Sequence, residues 1–269
     1  LLAVSGAQAN ERLSLERQDG RPTKALAYTP ANTACRGVAL VSPGAGGSEQ
    51  EYRYLGTALS SQGYLTLVVG HAESGRDALR ERVQRLGLRD GLEALVTDPV
   101  AYRGRQLDLD AARAWARPRC PGEEAVLIGH SMGAATVMMA AGARNRLGVE
   151  TRQRFDAYIA LSPQGTGPLF PPDAWGDVRQ PTLLITGTRD TGLGGASWET
   201  RTEPFRAMPA GCKWLGVIDG ATHMHFAGHG ASARVESLTV QTIGAFLDGV
   251  RRGDCRLAAP LEGIAIDTR

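Results

Sequence analysis

The chain has 269 residues, of which 42% are hydrophobic and 34 are glycine, enough to bury one large α/β core with many loops. Its formal net charge of +2 argues against nucleic acid as the main partner, because phosphate binding wants a basic stripe. No apolar run approaches the roughly 18 residues that cross a bilayer.

Residues 1–9 end in Ala7-Gln8-Ala9 before Asn10, which looks like the tail of a secretory signal peptide with an A-x-A cleavage site. Residues 10–269 are expected to form a single domain. Arg12–Gln18 and Pro22–Thr29 alternate around Asp19-Gly20, a two-residue hairpin signal, and predict an antiparallel edge. Gly37–Val41 is apolar without alternation, as in a strand buried on both faces, and leads into Ser42-Pro43-Gly44-Ala45-Gly46-Gly47-Ser48. A helix over Glu49–Gln62 and a buried strand over Tyr64–Val69 follow.

The stretch from Ala72 to Val100 is polar and Arg-rich. It predicts one or two short helices inserted over the strand ends, where substrate walls are built. Asp77, Glu81 and Asp90 interleave with its arginines, so it is a solvated helical face rather than a basic patch. A helix is expected over Asp108–Ala116 and ends at Arg117-Pro118. Ala125–Ile128 is a strand, and a helix runs from the turn after it to about Arg146. Strands are expected at Tyr158–Leu161, Thr182–Ile185 and Trp214–Ile218, with helices over Glu203–Ala207 and Ala233–Arg251. The tail from Leu257 to Arg269 reads as a strap or a loose end. Alternating strands and helices give the fold class: α/β, a mostly parallel doubly wound sheet with an antiparallel N-terminal edge hairpin.

The four cysteines include no C-x-x-C pair and no metal-ligand spacing. Cys35 and Cys120 each precede a strand, and those strands are expected to be parallel neighbours. Cys212 precedes the last parallel strand, and Cys255 follows a helix running back antiparallel to it. The expected disulfides are Cys35–Cys120 and Cys212–Cys255, in an oxidising compartment, either secreted or periplasmic.

Chemistry concentrates at Gly129-His130-Ser131-Met132-Gly133, a Gly-x-Ser-x-Gly between strand and helix. That layout is a nucleophile elbow: the serine sits on a strained turn, and small residues flank it where strand and helix nearly touch. A serine hydroxyl needs an adjacent base, and a carboxylate to fix the base's tautomer. The required order is Ser, then acid, then His, each after a strand. Ser131, Asp190 and His223 meet it. Of five histidines, His71 precedes the serine and could line the cleft, His130 lies inside the elbow, and His225 and His229 share a loop with His223. Asp219 is the rival acid, with Glu199 and Asp173 behind it. The backbone N–H groups of Met132 and Ala45 are the expected oxyanion donors. The glycines of residues 44–47 lack the Lys-Ser/Thr of a phosphate-binding loop. Trp175, Trp198, Phe170 and Phe205 sit in or near loops that face the site and suit either a substrate pocket, with Gln164 and His71, or ordinary core packing.

The chain resembles the α/β-hydrolases from about Val38 to Phe246. More finely, it resembles the bacterial group labelled predicted dienelactone hydrolases, which is similar to platelet-activating-factor acetylhydrolases and cutinase-like polyester hydrolases. The resemblance rests on Ser42–Ser48, Gly129–Gly133, Leu161-Ser162-Pro163-Gln164-Gly165, Thr186-Gly187-Thr188-Arg189-Asp190 and Gly220-Ala221-Thr222-His223-Met224-His225-Phe226. It implies a serine carboxylesterase with no cofactor and no metal, acting on a small or polymeric ester, and the same three catalytic residues. The group's loop often carries His where this chain has Pro43. Dienelactone hydrolases proper use a cysteine nucleophile, and no cysteine here occupies the elbow, so their substrate does not follow. A monomer is expected. The other readings are a peptidase, amidase or acyltransferase on the same residues, or a non-catalytic binding protein of the same fold.

Overall fold

The protein is described by a computed structural model covering residues 10–30, 35–122, 124–151, 153–192 and 195–269; the expected signal-peptide remnant at 1–9 lies outside these. Alternation at the N-terminus yields β1 (Asn10–Glu16) and β2 (Pro22–Tyr28), paired antiparallel with Glu16 opposite Pro22. Their connection is longer than the two-residue turn expected. Arg17 N–H donates to Arg21 O, Gly20 N–H donates to Arg17 O, and Gly20 takes φ +77°. A three-residue loop with glycine in the left-handed position results.

The unalternating apolar runs become the buried centre: β3 (Gly37–Ser42), β4 (Tyr64–Val69), β5 (Glu124–His130), β6 (Ala157–Leu161) and β7 (Thr182–Arg189), followed by β8 (Lys213–Thr222). The tail adds β9 (Ile264–Thr268), antiparallel on β8, so it is a second antiparallel edge that the sequence reading did not assign. Among the described residues the sheet order is β1-β2-β4-β3-β5-β6-β7-β8-β9, parallel from β4 through β8.

Helices cover both faces because successive strand residues point to opposite sides. On one face Val38, Leu40, Ala125 and Leu127 pack with α4 (Pro99–Ala116) and α5 (Met132–Ala140). On the other, Ala39, Val41, Val126 and Ile128 pack with α1 (Arg53–Ser61) and α7 (Ala233–Arg252). Truncating one of these contacts, such as Leu55 of α1, to alanine costs about 2–5 kcal/mol. Between β4 and α4 lie α2 (Arg76–Leu86) and α3 (Leu88–Val96), with Gly87 at φ +85° between them; α6 (Glu203–Ala207) precedes β8.

Three helix boundaries differ from expectation. α1 begins four residues late because Tyr52 sits at φ 56°, outside the helical region. α4 begins at Pro99 rather than Asp108: Asp98 Oδ1 accepts the Val100 N–H at 2.8 Å, and proline at the first helical position needs no N–H partner. α5 stops at Ala140 rather than near Arg146. Gly142, at φ +106°, donates to Met139 O and Ala143 donates to Met138 O, the two bonds of a Schellman cap.

The strand order brings the cysteines together. Cys35 is bonded to Cys120 at the shared edge of β3 and β5, and Cys212 is bonded to Cys255, joining the start of β8 to the end of α7.

Candidate active site

Ser131 is the single residue between β5 and α5, at φ 55° and ψ −116°. A non-glycine residue holds that conformation only when its surroundings force it. The surroundings are two close approaches. A Cβ on Gly129 would lie 2.2 Å from Gly133 O, and one on Gly133 would lie 1.9 Å from Ser42 O. The free N–H groups of the first turn of α5 then surround the serine.

β8 ends at Thr222, and His223 opens a short 3₁₀ turn over His223–Ala227. Its Nε2 is 2.9 Å from Ser131 Oγ, and its Nδ1 is 2.9 Å from Asp190 Oδ1. Asp190 follows β7 and is fully buried. Its Oδ2 accepts hydrogen bonds from Ser162 Oγ at 2.5 Å and Thr186 Oγ1 at 2.9 Å. Burial pushes the Asp190 pKa up. The bond to His223, the Arg201 charge and the Ser162 bond outweigh it and hold the carboxyl below its usual range. The serine and the histidine are half-buried and the acid is sealed, so one end of the chain meets solvent and the other is fixed.

Above Ser131 and His223 opens a cleft of about 620 Å³. Gly44, Ala45, Gly46 and Gly47 form one side, and a Cβ on Gly44 would touch the Ser131 Cβ at 3.4 Å. Ala45 lines the cleft and Met132 follows the serine directly; neither N–H has a partner among the described residues. The Arg-rich insertion supplies a wall through Leu79, Leu92 and Val96, and Thr166–Leu169 supplies another. Gln164 lines the cleft.

Of the two readings of the aromatics, core packing holds for Phe170, Trp175 and Phe205. Phe170 and Trp175 are buried against each other in the core, ring centroids 5.9 Å apart, because the Pro- and Gly-rich segment folds back beneath the cleft. Phe205 also packs into the core, and Trp198 does not line the cleft. His71 is buried beneath β3 and bonds Ser42 and Asp108 instead of facing the opening. The rival acids are elsewhere: Asp219 accepts from Thr188 Oγ1, Asp173 pairs with Arg144, and Glu199 is exposed beside Ser197. His225 Nδ1 accepts the Thr222 N–H, and His229 sits at the cleft rim.

Two further side chains hold the site: Arg201, which no sequence motif singles out, and His130, whose place inside the elbow suits a structural role. Arg201 is buried, with Nε 2.9 Å from Asp190 Oδ1 and Nη2 3.3 Å from His223 Nδ1. Its Nε–H donates to the Asp190 carbonyl at 2.8 Å, and its Nη groups donate to the carbonyls of Ser162, Pro163 and Thr191. His130 joins both sides of the cleft: Gly44 N–H donates to Tyr52 Oη, Tyr52 Oη lies 2.9 Å from His130 Nδ1, and His130 Nε2 lies 3.0 Å from His223 O. Burial, with His223 beside it, pushes the His130 pKa well below the usual value, so it is neutral. The sequence signals were thin: a serine before proline after β6, and a histidine inside the elbow.

No protein-family model matches the chain. A cutinase of Thermobifida alba is 27% identical over 199 residues, 73% of this chain and 55% of the relative. A cutinase of Thermobifida fusca is 26% identical over 198 residues, 73% of this chain and 52% of the relative. The chain thus spans about half the length of these curated relatives. Among solved structures, dienelactone hydrolase from Anabaena variabilis matches with TM-score 0.60 and 20% identity, over 87% of this chain and 96% of that one. An α/β serine hydrolase without a lid from Xanthomonas campestris matches with TM-score 0.58 and 21% identity, over 95% and 98%. The likeness to dienelactone hydrolase and cutinases that the motifs imply is found in these comparisons, and the chain has the α/β-hydrolase fold.

Proposed function

We propose that this chain of α/β-hydrolase fold is a serine hydrolase that cleaves carboxylic esters through an acyl-enzyme. The observation that carries the reading is the chain from Ser131 Oγ through His223 to Asp190, at 2.9 Å per step, on the floor of an open cleft. His223 Nε2 takes the Ser131 proton as Oγ attacks the carbonyl carbon, then gives it to the leaving alcohol. Water repeats the two steps and frees the acid. Asp190 keeps the Nδ1 proton in place and offsets the charge on the imidazolium. The N–H groups of Ala45 and Met132 receive the oxyanion. Nucleophile, base and oxyanion donors all come from the chain, so the reading requires no cofactor.

Esters are favoured over other acyl compounds by the apolar walls at Leu79, Leu92, Val96 and Leu169, which suit alkyl or aryl groups, and by relatives bearing the name cutinase. Two disulfides fit a protein that works in an oxidising compartment, and we place it outside the cytoplasm. We take residues 10–269 as one domain acting as a monomer.

A series of nitrophenyl esters from acetate to decanoate, a matched anilide and a polyester film, each with and without an alcohol acceptor, tests the assignment. Turnover of an ester at least about 100-fold above its anilide is expected. Anilide turnover equal to ester turnover points to an amidase, and ester product formed mainly with the acceptor points to an acyltransferase.

A further inference from the structure

A second Ser-His-Asp chain lies beneath the cleft and takes no part in the steps above. Ser42 Oγ is 2.9 Å from His71 Nε2, and His71 Nδ1 is 2.9 Å from Asp108 Oδ2. Ser42 and Asp108 are fully buried and His71 is 4% exposed, so no substrate carbonyl reaches this serine. Its purpose is visible at its other end, where Arg105 of α4 meets the loop after β3. Arg105 Nη1 donates to Ser42 Oγ at 3.1 Å and to Pro43 O at 2.8 Å, Nη2 donates to Gly44 O at 3.3 Å, and Nε donates to Ser74 Oγ at 2.9 Å.

The donors fix the protons. Arg105 has no acceptor, so Ser42 Oγ accepts from it and turns its own hydrogen to His71 Nε2. His71 is then the neutral tautomer with hydrogen on Nδ1, which it donates to Asp108. Burial, with the Arg105 charge nearby, pulls the His71 pKa down to about 4 and so keeps that state at neutral pH. Burial lowers Arg105 itself only to about 10, so it remains a cation. Arg17 pairs with Asp108 at 3.3 Å on the far side.

The consequence lies in the peptide plane. A trans peptide points its C=O and the next N–H in opposite directions. Arg105 draws the Gly44 carbonyl into the protein, so the Ala45 N–H of the same plane turns outward beside Ser131. Within the loop the same carbonyl accepts one further bond, from Gly47 N–H at 3.2 Å, and Arg105 ties that turn to α4. Glycine at 44, 46 and 47 lets the planes rotate at small steric cost, and Pro43 offers no polar side chain. Ser74 adds a second anchor, since its carbonyl accepts the Gly46 N–H at 2.8 Å while its hydroxyl receives Arg105 Nε.

We propose that Arg105 is the positioning residue of the oxyanion loop: its guanidinium fixes the Gly44–Ala45 peptide plane, and the Ser42–His71–Asp108 chain fixes the guanidinium. The proposal rests on the reading of Ala45 N–H as an oxyanion donor.

The test compares wild type, Arg105→Met, Arg105→Lys and Ser74→Ala. It reads kcat and KM on nitrophenyl butyrate, and the inhibition constant of butylboronic acid, whose tetrahedral adduct on Ser131 places an oxygen in the hole. Arg105→Met should lose about 10²–10³ in kcat, the size of one lost oxyanion donor. KM should move less than about threefold, and boronate affinity should fall by about the same factor as kcat. Arg105→Lys should recover about tenfold over Arg105→Met, because an ammonium reaches one carbonyl where the fork reaches two. Ser74→Ala should show the same signature at about three- to tenfold. Should Arg105→Met not fold, the other two variants carry the same measurements. Wild-type boronate affinity in a folded variant, or a loss residing in KM, overturns the proposal. Fluorophosphonate labelling of Ser131 in wild type tests the underlying reading separately: absent labelling sinks that reading, whereas labelling with unchanged boronate affinity in Arg105→Met sinks the clamp alone.

Discussion

Replacing Asp190 by asparagine removes a charge while leaving the geometry a way to survive. Three donors bond the carboxylate, His223 Nδ1–H at Oδ1 and the hydroxyls of Ser162 and Thr186 at Oδ2, and the Arg201 guanidinium is ion-paired with Oδ1 at 2.9 Å while its Nε–H donates to the Asp190 backbone carbonyl. Arginine cannot accept, so the oxygen of the introduced amide stays on the arginine side and its NH₂ faces two hydroxyls that can rotate to receive it. The His223 tautomer is retained. What changes is the transition state, in which His223 becomes a cation 3.3 Å from Arg201 Nη2 with no carboxylate between them. At an effective dielectric of about 20 that repulsion is about 5 kcal/mol, or between about 10³ and 10⁴ in kcat/KM. Arg201→Gln should therefore act with opposite sign in two backgrounds. In wild type it should lower kcat/KM about 10- to 100-fold, because the loop carbonyls lose their donor. In Asp190→Asn it should raise kcat/KM by about tenfold or more. The assay is a double-mutant cycle on nitrophenyl butyrate, normalised to titratable serine. Equal losses from Arg201→Gln in both backgrounds would exclude charge repulsion as the origin of the Asp190→Asn defect.

The Cys212–Cys255 bridge closes 43 residues, so Cys255→Ser should cost about 4 kcal/mol by the chain-entropy relation, read as a drop in Tm that reducing agent does not add to at that pair. His71 is neutral in the fold with its pKa near 4, below the ordinary 6.5. As pH falls from about 6.5 toward 4 the unfolded chain takes up a proton that the fold refuses, so stability is full above that window and declines through it. Tm measured from pH 7 to 4 should fall, and His71→Gln should flatten part of the slope; an unchanged slope would exclude His71 as a source. Gly133→Ala places a carbon 1.9 Å from the Ser42 carbonyl and should abolish either folding or labelling of Ser131, as circular dichroism and probe labelling will show.

What was legible in the sequence followed from period and punctuation. The buried strands announced themselves as unalternating apolar runs. The elbow did so by its glycines, and the cysteine pairs followed from strand order. Misread elements lay where two signals competed. The arginines of α2 and α3 masked Asp98-Pro99, a sound helix start, and Gly142 was passed over inside an Ala-rich stretch. Ile264 and Ile266 carried the alternation of β9 in a segment otherwise too polar to read. Phe170 and Trp175 lie in a segment beyond a strand end, which suits a cleft wall and the core equally, and the segment turns inward and feeds the core. Arg105 and Arg201 were invisible for a different reason. A single arginine in a helical stretch reads as a solvated face, and only the three-dimensional convergence of carbonyls on its fork shows otherwise.

We assign Ser131 as the nucleophile and His223 as its base, and intact-mass and peptide analysis after fluorophosphonate treatment checks both. One adduct on Ser131 is expected, formed rapidly in wild type, slowed by at least about 10³ in His223→Ala and absent in Ser131→Ala. An adduct on another residue, or labelling that persists in Ser131→Ala, would contradict the account.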